Sequence, residues 1–140
     1  MNTNTPSVGE RIVHKAFPPI TRHRLALYCG ASGDHNPIHV DLDFARQAGF
    51  SDVFSHGMLV MAYLGQALTD AVEPSRIRSF STRFAAITQL GAKLTCEGTV
   101  TELFEDDGGV QRAGVRATHV EGEDRPQPPR LGHRMEPFGA

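Results

Sequence analysis

The spacing of apolar residues changes several times along this 140-residue chain, and each change marks an element. At the front, ERIVHKAF (10–17) reads as a strand, closed by PPIT, whose Thr21 is placed to cap a helix. Leu25, Tyr28 and Cys29 then recur at helical spacing, which predicts a helix from about Arg22 to Ala31 with Gly33 ending it. The polar stretch DHNPIH comes next as a loop. Asp41 is a second cap, for the short helix LDFARQA, which Gly49 stops.

From Gly57 to Leu68, GMLVMAYLGQAL has nine apolar residues in twelve and no charge. A helix apolar around its whole circumference must be enclosed on nearly all sides. The remainder of the chain is strand-rich: IRSFSTRFAAI (77–87), AKLTCEGTVTELFE (92–105) and VQRAGVRATHV (110–120), the last two joined by a hairpin at DDGG. A curled antiparallel sheet wrapped around one long central helix satisfies both facts. The predicted class is therefore α+β, one domain over residues 1–140 with irregular ends near 1–8 and 123–140. In the Pro- and charge-rich tail, RLGHRM is the stretch able to add an edge strand.

Composition narrows the function classes. The chain has 14 Lys and Arg against 16 Asp and Glu, a formal charge of -2, with no basic block and no tryptophan. Neither nucleic acid nor an anionic membrane is a favoured partner. Cys29 and Cys96 have neither metal-ligand spacing nor the density of a disulfide scaffold, so they read as reduced, packed thiols. The start MNTNTPSVGERI lacks the features of a signal peptide, and no uncharged stretch reaches transmembrane length. These features read together as a cytoplasmic protein.

The densest chemistry lies in GDHNPIH (33–39), which sets Asp34, Asn36 and His39 within six residues. Asn36 precedes Pro37 and is biased toward an extended backbone, which straightens the loop and aims Asp34 and His39 at one point. In SHGML, Ser55 is a candidate N-cap and Gly57 falls in the first turn of the apolar helix. There the N–H groups have no intrahelical partner and carry the positive end of the helix dipole. An acid/base pair facing fixed N–H donors suits proton transfer beside an activated carbonyl such as a thioester. Asp34 and His39 are the candidate catalytic residues. Gly57, Asn36, Ser32 and His56 are the candidate oxyanion or substrate contacts, with His56 also able to brace the Gly57 turn.

Plainer readings exist for the neighbours. His35 faces solvent, and Met58, Met61 and Tyr63 belong to the core. Arg76, Arg78 and Arg83 are placed either to meet phosphates of a carrier or to line a solvated strand face. Asp34, His39 and His56 have enough donor atoms for zinc, but no outer partners for such ligands are recognisable, and hydrating a thioester-activated alkene needs no Lewis acid. No metal and no cofactor are expected.

The segment YCGASGDHNPIHVDLDFARQAGFSDVFSHGMLVMAYLG resembles the signature region of the MaoC-like, R-specific enoyl-CoA hydratase (hydratase 2) family. The later STRFAAITQLGAKLTCEGTVTEL resembles the family's Arg-Phe strand, turn and next strand, especially in catalytic B subunits of (3R)-hydroxyacyl-ACP dehydratases. The resemblance covers about residues 8–120. It implies a hot-dog fold, a homodimer or higher homo-oligomer with a heterodimer as the variant, and reversible hydration of trans-2-enoyl thioesters of CoA or ACP to (3R)-3-hydroxyacyl thioesters. It carries the catalytic pair onto Asp34 and His39, the motif asparagine onto Asn36 and the helix-start amide onto Gly57. The rival functions are an acyl-CoA thioesterase and a non-catalytic partner subunit of a hot-dog heterodimer. The chain departs from the family at DRPQPPRLGHRM, where an apolar last strand is usual.

Overall fold

A computed structural model describes residues 6–109 and 111–121. Strand β1 (Arg11–Ala16) leads into α1 (Arg22–Ser32), α2 (Leu42–Gln47) and the central α3 (Gly57–Ala71), followed by β2 (Leu94–Glu105) and β3 (Gln111–Glu121). Single 3-10 turns occupy Pro37–His39 and Pro74–Arg76. The strands form an antiparallel sheet in the order β1-β2-β3.

Local chemistry accounts for the helix ends. The Thr21 hydroxyl accepts the Arg24 N–H at 3.1 Å, and the Asp41 carboxylate accepts those of Asp43 and Phe44 at 2.9 and 3.0 Å. Both cap the first turns as expected. Gly33 closes α1 at φ 74°, a left-handed conformation that costs glycine little, and its N–H returns to Cys29 O at 3.0 Å. The β2–β3 hairpin turns at DDGG, where Gly109 N–H bonds to Asp106 O at 2.8 Å.

The core lies between the sheet and α3. Along β2, Leu94, Cys96 and Val100 are buried, on the two-residue period of a strand with one covered face. Leu94 and Cys96 join Val13 of β1, Ala117 of β3, Leu25 of α1 and Ala45 of α2 against Leu59, Val60, Tyr63, Leu64, Ala67 and Leu68 of α3. The Phe17 ring stacks on Tyr63 at 4.5 Å between centroids, Arg24 donates to the Tyr63 hydroxyl at 3.0 Å, and Lys15 pairs with Asp70 at the far end of α3. Both cysteines are free and buried, and burial pushes the Cys96 thiol up to about 11, so it packs as an apolar side chain.

Three expectations are corrected. First, α3 is not enclosed all round: Gly57, Met58 and Ala62 are exposed, Met58 by 53%. The described strands cover one side of the helix, so apolar content alone overstates its burial, and Met58 is not a core residue. Second, residues 77–87 contain no strand. The side chains there that reach the core are Ile77 and Phe80, three positions apart, which is not the two-residue period of a strand. Third, the N-cap of α3 is His56, not Ser55. Ser55 is buried one residue earlier, with its N–H on Thr88 O at 2.9 Å and its hydroxyl on His56 O at 3.2 Å. The edge strand expected at RLGHRM lies outside the described residues. Among the described residues, no helix is long and apolar enough to cross a membrane.

Candidate active site

The segment after α1 is coiled by its own side chains. Ser32 donates its hydroxyl to Tyr28 O at 2.6 Å and accepts the Asp34 N–H at 3.2 Å, so its hydroxyl is committed to the backbone around Asp34. The Asp34 carboxylate accepts the Asn36 N–H at 3.2 Å, and the Asn36 side-chain oxygen accepts the Ile38 N–H at 3.1 Å. Two successive side-chain turns of this kind pull the chain back on itself. Asn36 has φ -57° and ψ 120°, outside the helical region as its following proline requires, but Pro37–His39 then form a 3-10 turn. The loop is therefore bent rather than straightened. The bend carries His39 inward until it is 9% exposed, while Asp34 stays at the surface and His35 faces solvent.

His39 is held by its Nδ1, which lies 2.9 Å from Phe54 O. A carbonyl oxygen only accepts, so Nδ1 carries a proton, and in the neutral ring the lone pair lies on Nε2. The Phe54 ring meets the imidazole edge-on at 5.2 Å. On another side His39 lies against His56, with ring centroids 3.9 Å apart and planes 31° from parallel.

His56 is the buried member of the group, 1% exposed at the junction into α3. Its Nε2 is 3.4 Å from both Asp34 O and Cys29 Sγ, and Tyr28 covers it edge-on at 4.9 Å. Its Nδ1 is buried without a hydrogen-bond partner. Burial pushes this imidazole below its ordinary value of 6.5, and the neighbouring His39 lowers it further, against opposition from Asp34. His56 is thus held neutral, with Nε2–H directed at Asp34 O.

Asp34, His39 and His56 each bring one ligand or proton-handling atom within 4.8 Å of the others. His56 leads directly into the first turn of α3, where the earliest intrahelical bond is donated by Leu59 to His56 O at 3.2 Å and no side chain caps the turn. The Gly57 and Met58 N–H groups precede that bond and have no acceptor within the helix. Gly57 is exposed, and the Phe84 ring lies 3.2 Å from where a Cβ on this residue would be. A carboxylate, an imidazole with a free lone pair and two oriented N–H donors make an arrangement suited to proton transfer beside a developing oxyanion. The same three side chains have the donor types of a transition-metal seat, although binding through His56 Nε2 would cost its bond to Asp34 O.

The structure brings together Asp34, His39 and His56, with Gly57 following His56 at the start of α3, while Ser32 and Asn36 order the loop around Asp34. The contacts of Phe54, Cys29, Tyr28 and Phe84 have no counterpart in the sequence reading. A backbone carbonyl leaves no signal in residue type, and the helical spacing of Cys29 marks it only as a core position.

A family model described as MaoC like domain matches residues 3–123. Over 127 residues the chain is 24% identical to 3-hydroxyacyl-thioester dehydratase Z of Mycobacterium tuberculosis, covering 86% of this chain and 84% of that protein. It is 39% identical over 74 residues to fatty acid synthase subunit beta of Aspergillus oryzae, which is 50% of this chain but 4% of that much longer protein. The solved structure of the (R)-hydratase from A. caviae involved in PHA biosynthesis superposes with a TM-score of 0.69 at 22% identity, over 85% of this chain and 88% of that one. That superposition carries the fold, an antiparallel sheet laid across a central helix in the hot-dog arrangement.

Proposed function

The chain belongs to the MaoC-like domain family, and we propose that it adds water reversibly to trans-2-enoyl thioesters of CoA or an acyl carrier protein, giving (3R)-3-hydroxyacyl thioesters, or runs the reverse dehydration. Family membership supports the broader part of this reading, hydration or dehydration of an enoyl thioester by a hydro-lyase. The observation that carries the reading is the grouping of Asp34 and His39 beside an uncapped helix start, with one atom of each within 4.8 Å of the other.

In this mechanism one water sits between the Asp34 carboxylate and His39 Nε2. Its oxygen adds to the β-carbon, one of its protons passes to the dyad, and the dyad returns a proton to the α-carbon on the same face. Asp34 and His39 act as a unit through the single water they share. Charge that builds on the thioester oxygen is met by the Gly57 N–H, a donor type worth roughly 3 kcal/mol in such sites. Asn36 and Ser32 hold the loop that presents Asp34, and neutral His56 supports both the loop carbonyl and the His39 ring. No step needs a metal or an organic cofactor.

The chain assembles as a homodimer or higher homo-oligomer, with a heterodimer as the variant, a reading supported by the apolar Met58 and Phe84, each 53% exposed beside the site. Light scattering on the eluted protein tests this, and a stable monomer would oppose it.

Incubation of the purified protein with crotonyl-CoA tests the activity. Loss of the conjugated-alkene absorbance with no free thiol, and a product of R configuration by chiral chromatography, is the expected result. Release of free thiol would make the protein a thioesterase. Neither change, with CoA and carrier-protein thioesters alike, would leave a partner subunit. Chelator treatment should leave the rate unchanged; a loss restored by zinc would recast Asp34, His39 and His56 as ligands.

A further inference from the structure

Phe84 lies in the non-strand segment 77–87 and is 53% exposed, unusual for a phenylalanine next to a candidate site. It lies beside Gly57. An ideal Cβ placed on Gly57 would lie 3.2 Å from both Cδ1 and Cε1 of the ring and 3.7 Å from Cγ. The ring thus occupies the side where any other residue would carry its side chain. With a C–C bond of about 1.5 Å, its edge is within about 5 Å of the Gly57 Cα.

The role of this ring rests on the reading that a thioester oxygen accepts the Gly57 N–H. An oxygen accepting at about 2.9 Å brings the carbonyl carbon and its α-carbon into the same few ångströms as the Phe84 edge. A phenyl ring has no donor or acceptor with which to polarise the thioester, so its contribution there is shape. The α-carbon of a straight-chain enoyl thioester carries a single hydrogen; a branched one carries a methyl group that needs the volume the ring fills.

We propose that Phe84 is a specificity-determining residue that restricts the seat at Gly57 to enoyl thioesters unbranched at the α-carbon. A methyl group against a close apolar wall changes selectivity by about 10- to 200-fold. The test compares kcat/KM for crotonyl-CoA and 2-methylcrotonyl-CoA in the native protein, Phe84→Leu and Phe84→Ala. The native protein should prefer the unbranched substrate within that range, Phe84→Ala should reduce the preference at least about tenfold, and Phe84→Leu should fall between. Calorimetric binding of butanoyl-CoA and 2-methylbutanoyl-CoA gives the same comparison without turnover, so a variant with a damaged rate still answers. A native protein that hydrates crotonyl-CoA but shows no preference, or a preference unchanged in both variants, overturns this inference alone. A native protein that neither hydrates nor binds these thioesters overturns the functional reading and this inference with it.

Discussion

On one face of α3, Leu59, Val60, Tyr63, Leu64, Ala67 and Leu68 are buried against the sheet, whereas Gly57, Met58 and Ala62 on the other remain exposed. In the first two turns both faces are apolar, so composition does not separate them there; farther along, the exposed Gln66, Thr69 and Asp70 mark the open side. The difference is whether another element lies opposite. The covered face holds sheet and helices together. The open face begins at the turn that meets Asp34, His39 and the Phe84 ring, where bulk or a cap would close the approach to the N–H groups.

The strongest way to break that contrast is to place the same carboxylate on each face. Leu64 is 3% exposed. Leu64→Asp forfeits about 1.5–3 kcal/mol of apolar burial and adds the larger cost of an unpaired buried charge. Loss of the cooperative melting transition by circular dichroism is expected. Met58→Asp puts the new charge on the open face, so the cooperative melting transition should persist while light scattering shifts toward the monomer. A collapse at Met58 as deep as at Leu64 would mean that the chain does not fold without a second copy on that face.

The next contrast separates chemistry from folding. Asp34→Asn and His39→Ala should each lower turnover by at least about a hundredfold, the scale of general acid-base catalysis, while the melting transition persists. Asp34 is exposed and its loop keeps the Ser32 and Asn36 turns, so the asparagine variant should fold normally. Near-native turnover in either folded variant would remove the dyad from the mechanism.

How much of the molecule is legible in the sequence divides along the same line. Short-range chemistry is readable: Thr21 and Asp41 cap because their side chains reach N–H groups two or three residues on, and Gly33 ends α1 because it tolerates φ 74°. The grouping of Asp34 and His39 follows from the dense GDHNPIH packet, although a bend achieves it where the Asn-Pro step suggests a straight link. Features that depend on distant neighbours are not readable. The stretch 77–87 reads as a strand in a strand-rich part of the chain, yet the side chains there that reach the core are Ile77 and Phe80. The environment of His56 needs Cys29, Tyr28 and Asp34 to be brought together from a distant part of the chain.

Gly57 sharpens the boundary between the two faces. Its φ lies outside the left-handed region, so valine meets no backbone strain there. The added Cβ would press on Phe84 at 3.2 Å, but that ring is half exposed and able to shift by a few tenths of an ångström. Gly57→Val should therefore cost less than about 1 kcal/mol of stability, the range of ordinary helix preferences. Turnover should fall about ten- to a hundredfold, as expected for a partly obstructed oxyanion donor. Parallel melting and kinetic measurements on one preparation decide the matter. Stability and activity falling together would make Gly57 a packing residue, and full activity would remove it from the site.

The smallest expected effect concerns His56, where the covered and open regions meet. Burial, reinforced by His39, holds its folded-state value below the ordinary 6.5, so the unfolded chain binds a proton at this position more readily than the folded one. Stability linked to this group is therefore fully present above about pH 6.5. It declines as the pH falls through the interval between 6.5 and the lowered folded value, and below that interval it levels off. Denaturant midpoints measured from neutral to mildly acidic pH should show this decline in the native protein. His56→Leu, which has no titrating group to desolvate, should show a shallower one. The variant loses the 3.4 Å contact to Asp34 O, so its midpoint at neutral pH falls as well, and the informative quantity is the slope with pH rather than the height. Equal slopes in the two proteins would mean that His56 is as readily protonated when folded as when unfolded, and that a neutral imidazole does not support the His39 ring.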